Sequence, residues 1–221
     1  MYRPTSASQV TDHIRKMIFA NELRAGERVP QDEIASALRV SRVPVREAVI
    51  VLDREGWVTT EVHRGAFVNG LDANTIVDHY EFLGMLYGFA ARMATERGVP
   101  GEVVTLVELN TALQRAEDLD AVLATYNAML RQLLRMARSR RMISMSRILI
   151  MNLVTGNYFA EVPGVVDIHR GGMNLVTQAV EAGDGEAAEA GYRTMARAAA
   201  AKVVDLLVAR GQISFTVRGE A

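Results

Sequence analysis

Apolar residues recur at helical spacing from the start of the chain. Between residues 5 and 24, Val10, Ile14, Met17, Ile18 and Leu23 fall on one stripe, the pattern of an amphipathic helix. Thr5 or Ser6 opens it and Ala25-Gly26 ends it. Arg28-Val29-Pro30 follows as a short extended piece, and Gln31 to Leu38 predicts a second helix with Ile34, Ala35 and Leu38 inward. After a short turn, Arg39-Val40-Ser41, a third helix runs to Glu55-Gly56. Its Val45, Ala48, Val49 and Leu52 form a stripe suited to burial, while Arg42 and Arg46 share the stripe beside it. Ser41 is placed to cap this helix by accepting a bond from a first-turn N–H. Pro44 falls in the first turn, where a missing N–H costs nothing. Two helices joined by so short a turn read as a helix-turn-helix. A helix anchored at its back, with two guanidiniums at its open end, is how such a module presents residues to DNA.

Beyond it the period changes. Trp57–Thr60 and Ala66–Val68 predict a hairpin, the wing of a winged helix, with Gly65 suited to a positive φ at the tip. His63 and Arg64 then stand within reach of a phosphate or the minor groove. Asn69-Gly70 is the expected hinge. Residues 72–97, 101–117, 119–138, 140–160, 165–182 and 184–211 each read as helix, with breaks at Gly98-Val99-Pro100-Gly101, Asp118, Ser139, Pro163-Gly164 and Gly183-Asp184-Gly185. The predicted architecture is mainly α: a winged helix-turn-helix over residues 1–70, an all-α helical bundle with room for an internal cavity over 71–211, and a frayed tail over 212–221.

Composition narrows the classes. Among 221 residues, 49% are hydrophobic, enough for a sizeable core. The absence of Cys excludes a disulfide framework and a thiolate metal site. No apolar signal segment opens the chain, and no run reaches the ~18 apolar residues of a membrane helix; the expectation is a cytoplasmic protein with no membrane partner. Net charge is −1, yet Arg39, Arg42 and Arg46 fall within eight residues that carry no acid. Charge so focused fits a sequence reader better than a polycation. The chain has no Gly-rich phosphate loop, no H-E-x-x-H and no G-x-S-x-G. Glu117 and Asp120 read as helix-boundary charges, so an enzyme is not expected.

The order helix, helix, V-S-R-V-P-V-R-E-A, then E-G-W-V and R-G-A-F-V closely resembles the GntR family of bacterial transcription regulators. The helical remainder, with A-V-E-A-G-D-G-E-A-A before its last helix, resembles the FadR branch, whose C-terminal effector-binding domain is called FCD. The resemblance implies a homodimer that binds a palindromic operator in double-stranded DNA, acts as a repressor and answers to a small molecule. It implies operator contacts for Arg42, Arg46 and Gly65, joined by Ser41, Pro44, His63 and Arg64. Arg39 stands where the family often has Gly, and adds a candidate phosphate contact.

Many FCD domains hold a divalent metal through an Asp and a His four residues apart, plus two later His. By counting, those positions fall on Asn127, Arg131, Met173 and Met195, which supply no suitable donor set; neither metal nor cofactor is expected. An Arg and a Glu common on the first effector helix are replaced by Leu83 and Tyr87. The resemblance then implies an apolar pocket lined by Leu83, Tyr87, Leu130, Met173 and Met195, with Asn127 beside it and Arg131 as its one charge. A fatty acid or acyl-CoA suits such a pocket. Two alternatives stand beside this reading: side chains that fill the space and leave an effector-independent regulator, and a metal- or carboxylate-sensing member if the counting is off. The stretch Arg131, Arg135, Arg138, Arg140 and Arg141 offers a second DNA patch, against which a solvated helix face and terminus is the expected reading.

Overall fold

The computed structural model describes residues 5–70, 72–150 and 158–213. The chain divides into two compact units, Met1–Asp72 and Ala73–Ala221.

The first unit holds α1 (Ser6–Phe19), α2 (Gln31–Ala37), α3 (Arg42–Arg54), β1 (Val58–Glu61) and β2 (Gly65–Val68). Thr5 caps α1 by accepting from the Ser8 N–H at 3.2 Å. The helix ends at Phe19, earlier than the stripe to Leu23 predicts. Asn21 takes a left-handed turn at φ 58°, and the Glu22 and Leu23 N–H groups fold back onto the Met17 carbonyl. Leu23 is buried all the same, so its place in the apolar pattern reflects the core and not a continuing helix.

Val10, Ile14, Val45, Ala48 and Leu52 are fully buried, joined by Ile34 and Trp57. β1 and β2 pair antiparallel with Val58 opposite Val68 and Glu61 opposite Gly65. The extended piece before α2 joins them: the Val29 N–H donates to the Ala66 carbonyl and the Val68 N–H to that of Glu27. Asn69 is no free hinge. Its N–H donates to the Trp57 carbonyl, its side-chain amide to that of Gly56, and its Oδ1 accepts from the Thr59 hydroxyl. A buried Arg15 ties α1 to the end of α3, donating to Asp12 and Glu55.

The second unit is all helix among its described residues: α4 (Ala73–Arg97), α5 (Pro100–Arg115), α6 (Leu119–Met136), α7 (Arg140–Ile150), α8 (Tyr158–Glu161), α9 (Val165–Glu181) and α10 (Gly185–Ala209). The predicted breaks fall where capping chemistry puts them. Asp118 accepts from the Ala121 N–H and Asp184 from that of Ala187. The middle of the helix predicted over 140–160 lies outside the described residues. The two longest helices run antiparallel through a seam of small residues: a Cβ on Gly88 would stand 3.0 Å from the Glu189 carbonyl oxygen, and one on Gly84 3.4 Å from Ala196 Cβ. α9 closes on α10 where Met195 lies over Gly172. The first two residues of the expected tail are described. The Gln212 N–H returns to the Leu207 carbonyl and Ile213 is buried, a hydrophobic lock on a helix end with Gly211 left-handed; the rest of the tail lies outside the described residues.

Candidate nucleic-acid interface and the interior of the helical unit

α3 is held by its apolar stripe, with Val45, Ala48, Val49 and Leu52 all buried. Arg42, Val43 and Arg46 are left exposed at its N-terminal end. The two arginines share a groove of about 560 Å³ with Arg28, Gln31, Asp32 and Glu33. Neither folds inward. Arg42 does carry a partner, its Nε standing 2.8 Å from Asp32 Oδ1, but both side chains are some 70% exposed (71% and 72%). At that exposure the pair is worth ~0–1 kcal/mol and does not keep Arg42 from a duplex.

Ser41 occupies the N-cap of α3 with extended backbone, but its hydroxyl accepts no bond from the first turn. The expected cap is therefore corrected: only the backbone half of the motif forms, and the exposed hydroxyl is left for other partners. Pro44 sits half-buried in the first turn. Arg39 holds the turn at φ 53°, a conformation costing a non-glycine residue ~1–2 kcal/mol. We expect Arg39→Gly to raise the unit's stability by ~0.5–1 kcal/mol in denaturant unfolding; an unchanged midpoint would show that the long side chain offsets the strain.

At the wing, Gly65 has φ 107°, as its place at the tip predicts. His63 is also left-handed at φ 63°, which nothing in the local pattern announces. His63 and Arg64 are exposed. Arg64 is steadied by Glu61 and lies over the Phe67 ring, Cζ 5.5 Å from its centroid. Sequence reasoning missed Arg28. Its Nε would stand 2.7 Å from a Cβ on Gly65, so the glycine lets this guanidinium lie against the wing. Alternation in Arg28-Val29 held a signal, but its strand partner is distant in sequence.

In the helical unit, counting placed the inward face of α6 one residue too late. Asn127 is half-buried and Arg131 is exposed, whereas Tyr126 and Leu130 are buried. Arg131 is thus no buried charge. Tyr87, Met173 and Met195 are buried as expected and Leu83 half-buried. Arg135, Arg140 and Arg141 are exposed as well, and Arg138 pairs with Glu102 at 3.1 Å.

What fills the interior is a chain of tyrosines around one histidine. The Tyr87 ring stacks on Tyr192 at 5.3 Å, and the Tyr192 and Tyr126 hydroxyls meet at 3.1 Å. Tyr126 packs on His169 at 4.5 Å between centroids, and His169 Nε2 bonds the Tyr158 hydroxyl at 2.9 Å. The other ring nitrogen, Nδ1, is buried without a hydrogen-bond partner. Burial pushes His169 down to about 3 and Tyr87 up to about 12; burial likewise raises Tyr126, Tyr158 and Tyr192. All are neutral near pH 7, and among the described residues no Lys or Arg of this unit is buried. The FCD-type metal set does not fit here: the inward pair on α6 is Tyr126 and Leu130, and no group of three or more His, Cys, Asp or Glu among the described residues is disposed to hold an ion. No described helix is long and apolar enough to cross a membrane.

Comparison with known proteins places this geometry. An HTH-type transcriptional regulator of Mycobacterium tuberculosis, itself uncharacterised, is 41% identical over 99 residues, 45% of this chain and 41% of that one. The Nta operon transcriptional regulator of Aminobacter aminovorans is 40% identical over 90 residues, 41% of this chain and 43% of that one. The matches thus span less than half the length of these relatives. The solved structure of Lar, described as controlling expression of the Listeria monocytogenes agr system, has a TM-score of 0.62 at 19% identity, covering 93% of this chain and all of that one (100%); at that identity the likeness is one of fold. Residues 6–68 match the description "Bacterial regulatory proteins, gntR family", a family of regulators and not of enzymes. The first unit of this chain thus matches the gntR-family model over nearly its whole length.

Proposed function

We propose that this chain is a cytoplasmic transcription regulator that binds a palindromic operator as a homodimer, each first unit laying α3 in a major groove. The observation that carries the reading is the exposure of Arg42 and Arg46 on a helix whose opposite stripe is wholly buried. Arg28, Arg39, Ser41, His63 and Arg64 extend the contact surface, and Gly65 admits close approach at the wing. Guanine contacts from the two α3 arginines would give specificity, and phosphate contacts would set register. Repression is the simplest consequence, since a protein seated on a promoter excludes others from it.

Residues 71–211 are assigned to dimerisation and effector response, as in the FCD domains of the FadR branch. For the dimer, support comes from an apolar face on α4 and α7. Phe82, Met85, Phe89 and Met145 are exposed there around a groove of about 560 Å³ that Leu86 and Leu149 also line. Contiguous apolar surface of this kind marks an interface. For the effector, the fatty acid or acyl-CoA expected from sequence loses its guanidinium, because Arg131 is outside. The neutral tyrosine–histidine interior supports recognition by hydrogen bonds and aromatic contact, with the apolar body of such a ligand retained as its match. Ligand would act through unequal affinity for DNA-competent and incompetent arrangements.

The test is selection of duplexes from a randomised pool by the full chain, followed by sedimentation. The wild-type protein is expected to recover two inverted half-sites and to sediment as a dimer. Phe89→Asp is expected to sediment as a monomer and to lose preference for the inverted repeat. A wild-type monomer that recovers single sites would overturn the dimer, and recovery of no shared sequence would overturn the DNA-binding reading.

A further inference from the structure

We infer that Asp32 is a positioning residue for base reading, holding Arg42 by its Nε so that the guanidinium faces a guanine edge and is withheld from phosphate. The inference rests on the DNA-binding reading above. Asp32 Oδ1 lies 2.8 Å from Arg42 Nε, and both belong to the groove that Arg28 and Arg46 also line. The ion pair lies on the Nε side of the guanidinium, which leaves its two terminal nitrogens open. Their fork matches the O6 and N7 acceptors that guanine offers in the major groove.

The pair is too exposed to matter much for folding; its effect is on direction and on charge. A free arginine at the tip of α3 serves any phosphate equally well. Beside a carboxylate, with Glu33 adding a second negative charge to the same groove, its pull on a uniform backbone is largely cancelled. A base edge that accepts two hydrogen bonds at once still repays the approach. The acid thereby suppresses binding to arbitrary sequence more than binding to the operator, an instance of specificity gained by disfavouring the competitor.

The experiment uses duplexes that the full-length wild-type protein selects from a randomised pool. Affinity is measured on the selected duplex, on each of its single-base variants and on a random duplex of the same length. Arg42→Ala identifies the base read by Arg42 as the position where discrimination collapses. Asp32→Asn, the same shape without the charge, is expected to lower discrimination at that position about three- to tenfold. It should also tighten binding to random duplex about threefold and steepen the dependence on salt. Asp32→Glu, which keeps the charge, should retain most of the discrimination. The inference is overturned if Asp32→Asn leaves that position as selective as before, weakens all positions alike, or if Arg42→Ala relaxes none. A wild-type protein that selects no sequence overturns instead the reading on which the inference rests.

Discussion

Replacing Arg46 by alanine is expected to abolish retention of a selected operator duplex in a mobility-shift assay while leaving the fold intact. Arg46 is exposed, so its removal should move the unfolding midpoint by no more than a surface substitution does, about ±0.5 kcal/mol. Loss of a base-reading arginine costs ~1–3 kcal/mol. The proposed dimer, reading two half-sites, would lose it twice, roughly 2–6 kcal/mol, which is about thirtyfold or more in affinity. Both readouts are needed. Undiminished sequence-specific binding by a folded Arg46→Ala protein would remove α3 from the role of reader, and a collapse of the fold would assign Arg46 a structural part its exposure does not suggest.

The second large effect concerns stability. Arg15 is buried, its side chain 4% exposed, and it donates to Glu55, itself only 11% exposed, and to Asp12. Arg15 Nε has no partner. Removing Glu55 leaves a buried guanidinium with only a solvent-facing acid beside it, so Glu55→Ala is expected to destabilise the first unit by ~3–5 kcal/mol in denaturant unfolding. The paired replacement Arg15→Met with Glu55→Leu should recover most of that loss, because two well-packed apolar side chains avoid the desolvation cost that two buried charges carry. A single mutant as stable as the parent would mean that water reaches Arg15 and that α1 is tied to α3 by apolar packing alone.

Much of the first unit was legible in the order of residues. The stripe Val45, Ala48, Val49, Leu52 named the buried face of α3, and with it the exposed one. Gly65 announced the wing tip, since only glycine adopts its φ at no steric cost. Asp118 and Asp184 marked helix starts because their carboxylates bond to N–H groups three residues on. These are local rules, set within one or two turns of chain. Two local expectations failed: Ser41 does not close its cap, and Asn69 is tied into the base of the wing by bonds to Gly56, Trp57 and Thr59. Leu23 kept its place in the core without the helix that its spacing implied.

The interior of the helical unit was a different matter. Counting along α6 put Asn127 and Arg131 beside the expected Leu130, and a rotation of one residue, 100° on a helix, is enough to leave Arg131 outside and bring Tyr126 in next to Leu130. Periodicity tells which stripe is apolar, but Tyr126 counts weakly in such a stripe and Met129, Leu130 and Leu133 blur its edge.

By itself, then, the amino-acid order determined the element types, their approximate ends and the two arginines that face away from the first core, because each of those depends on neighbours a few residues apart. Only the tertiary structure decided that Arg28 lies beside the wing, that Asp32 holds Arg42, and that Tyr87, Tyr126, Tyr158, Tyr192 and His169 meet in one neutral chain. Those contacts join residues as far apart in the chain as Tyr87 and Tyr192, and their geometry follows from how whole helices and strands pack, which no local pattern encodes.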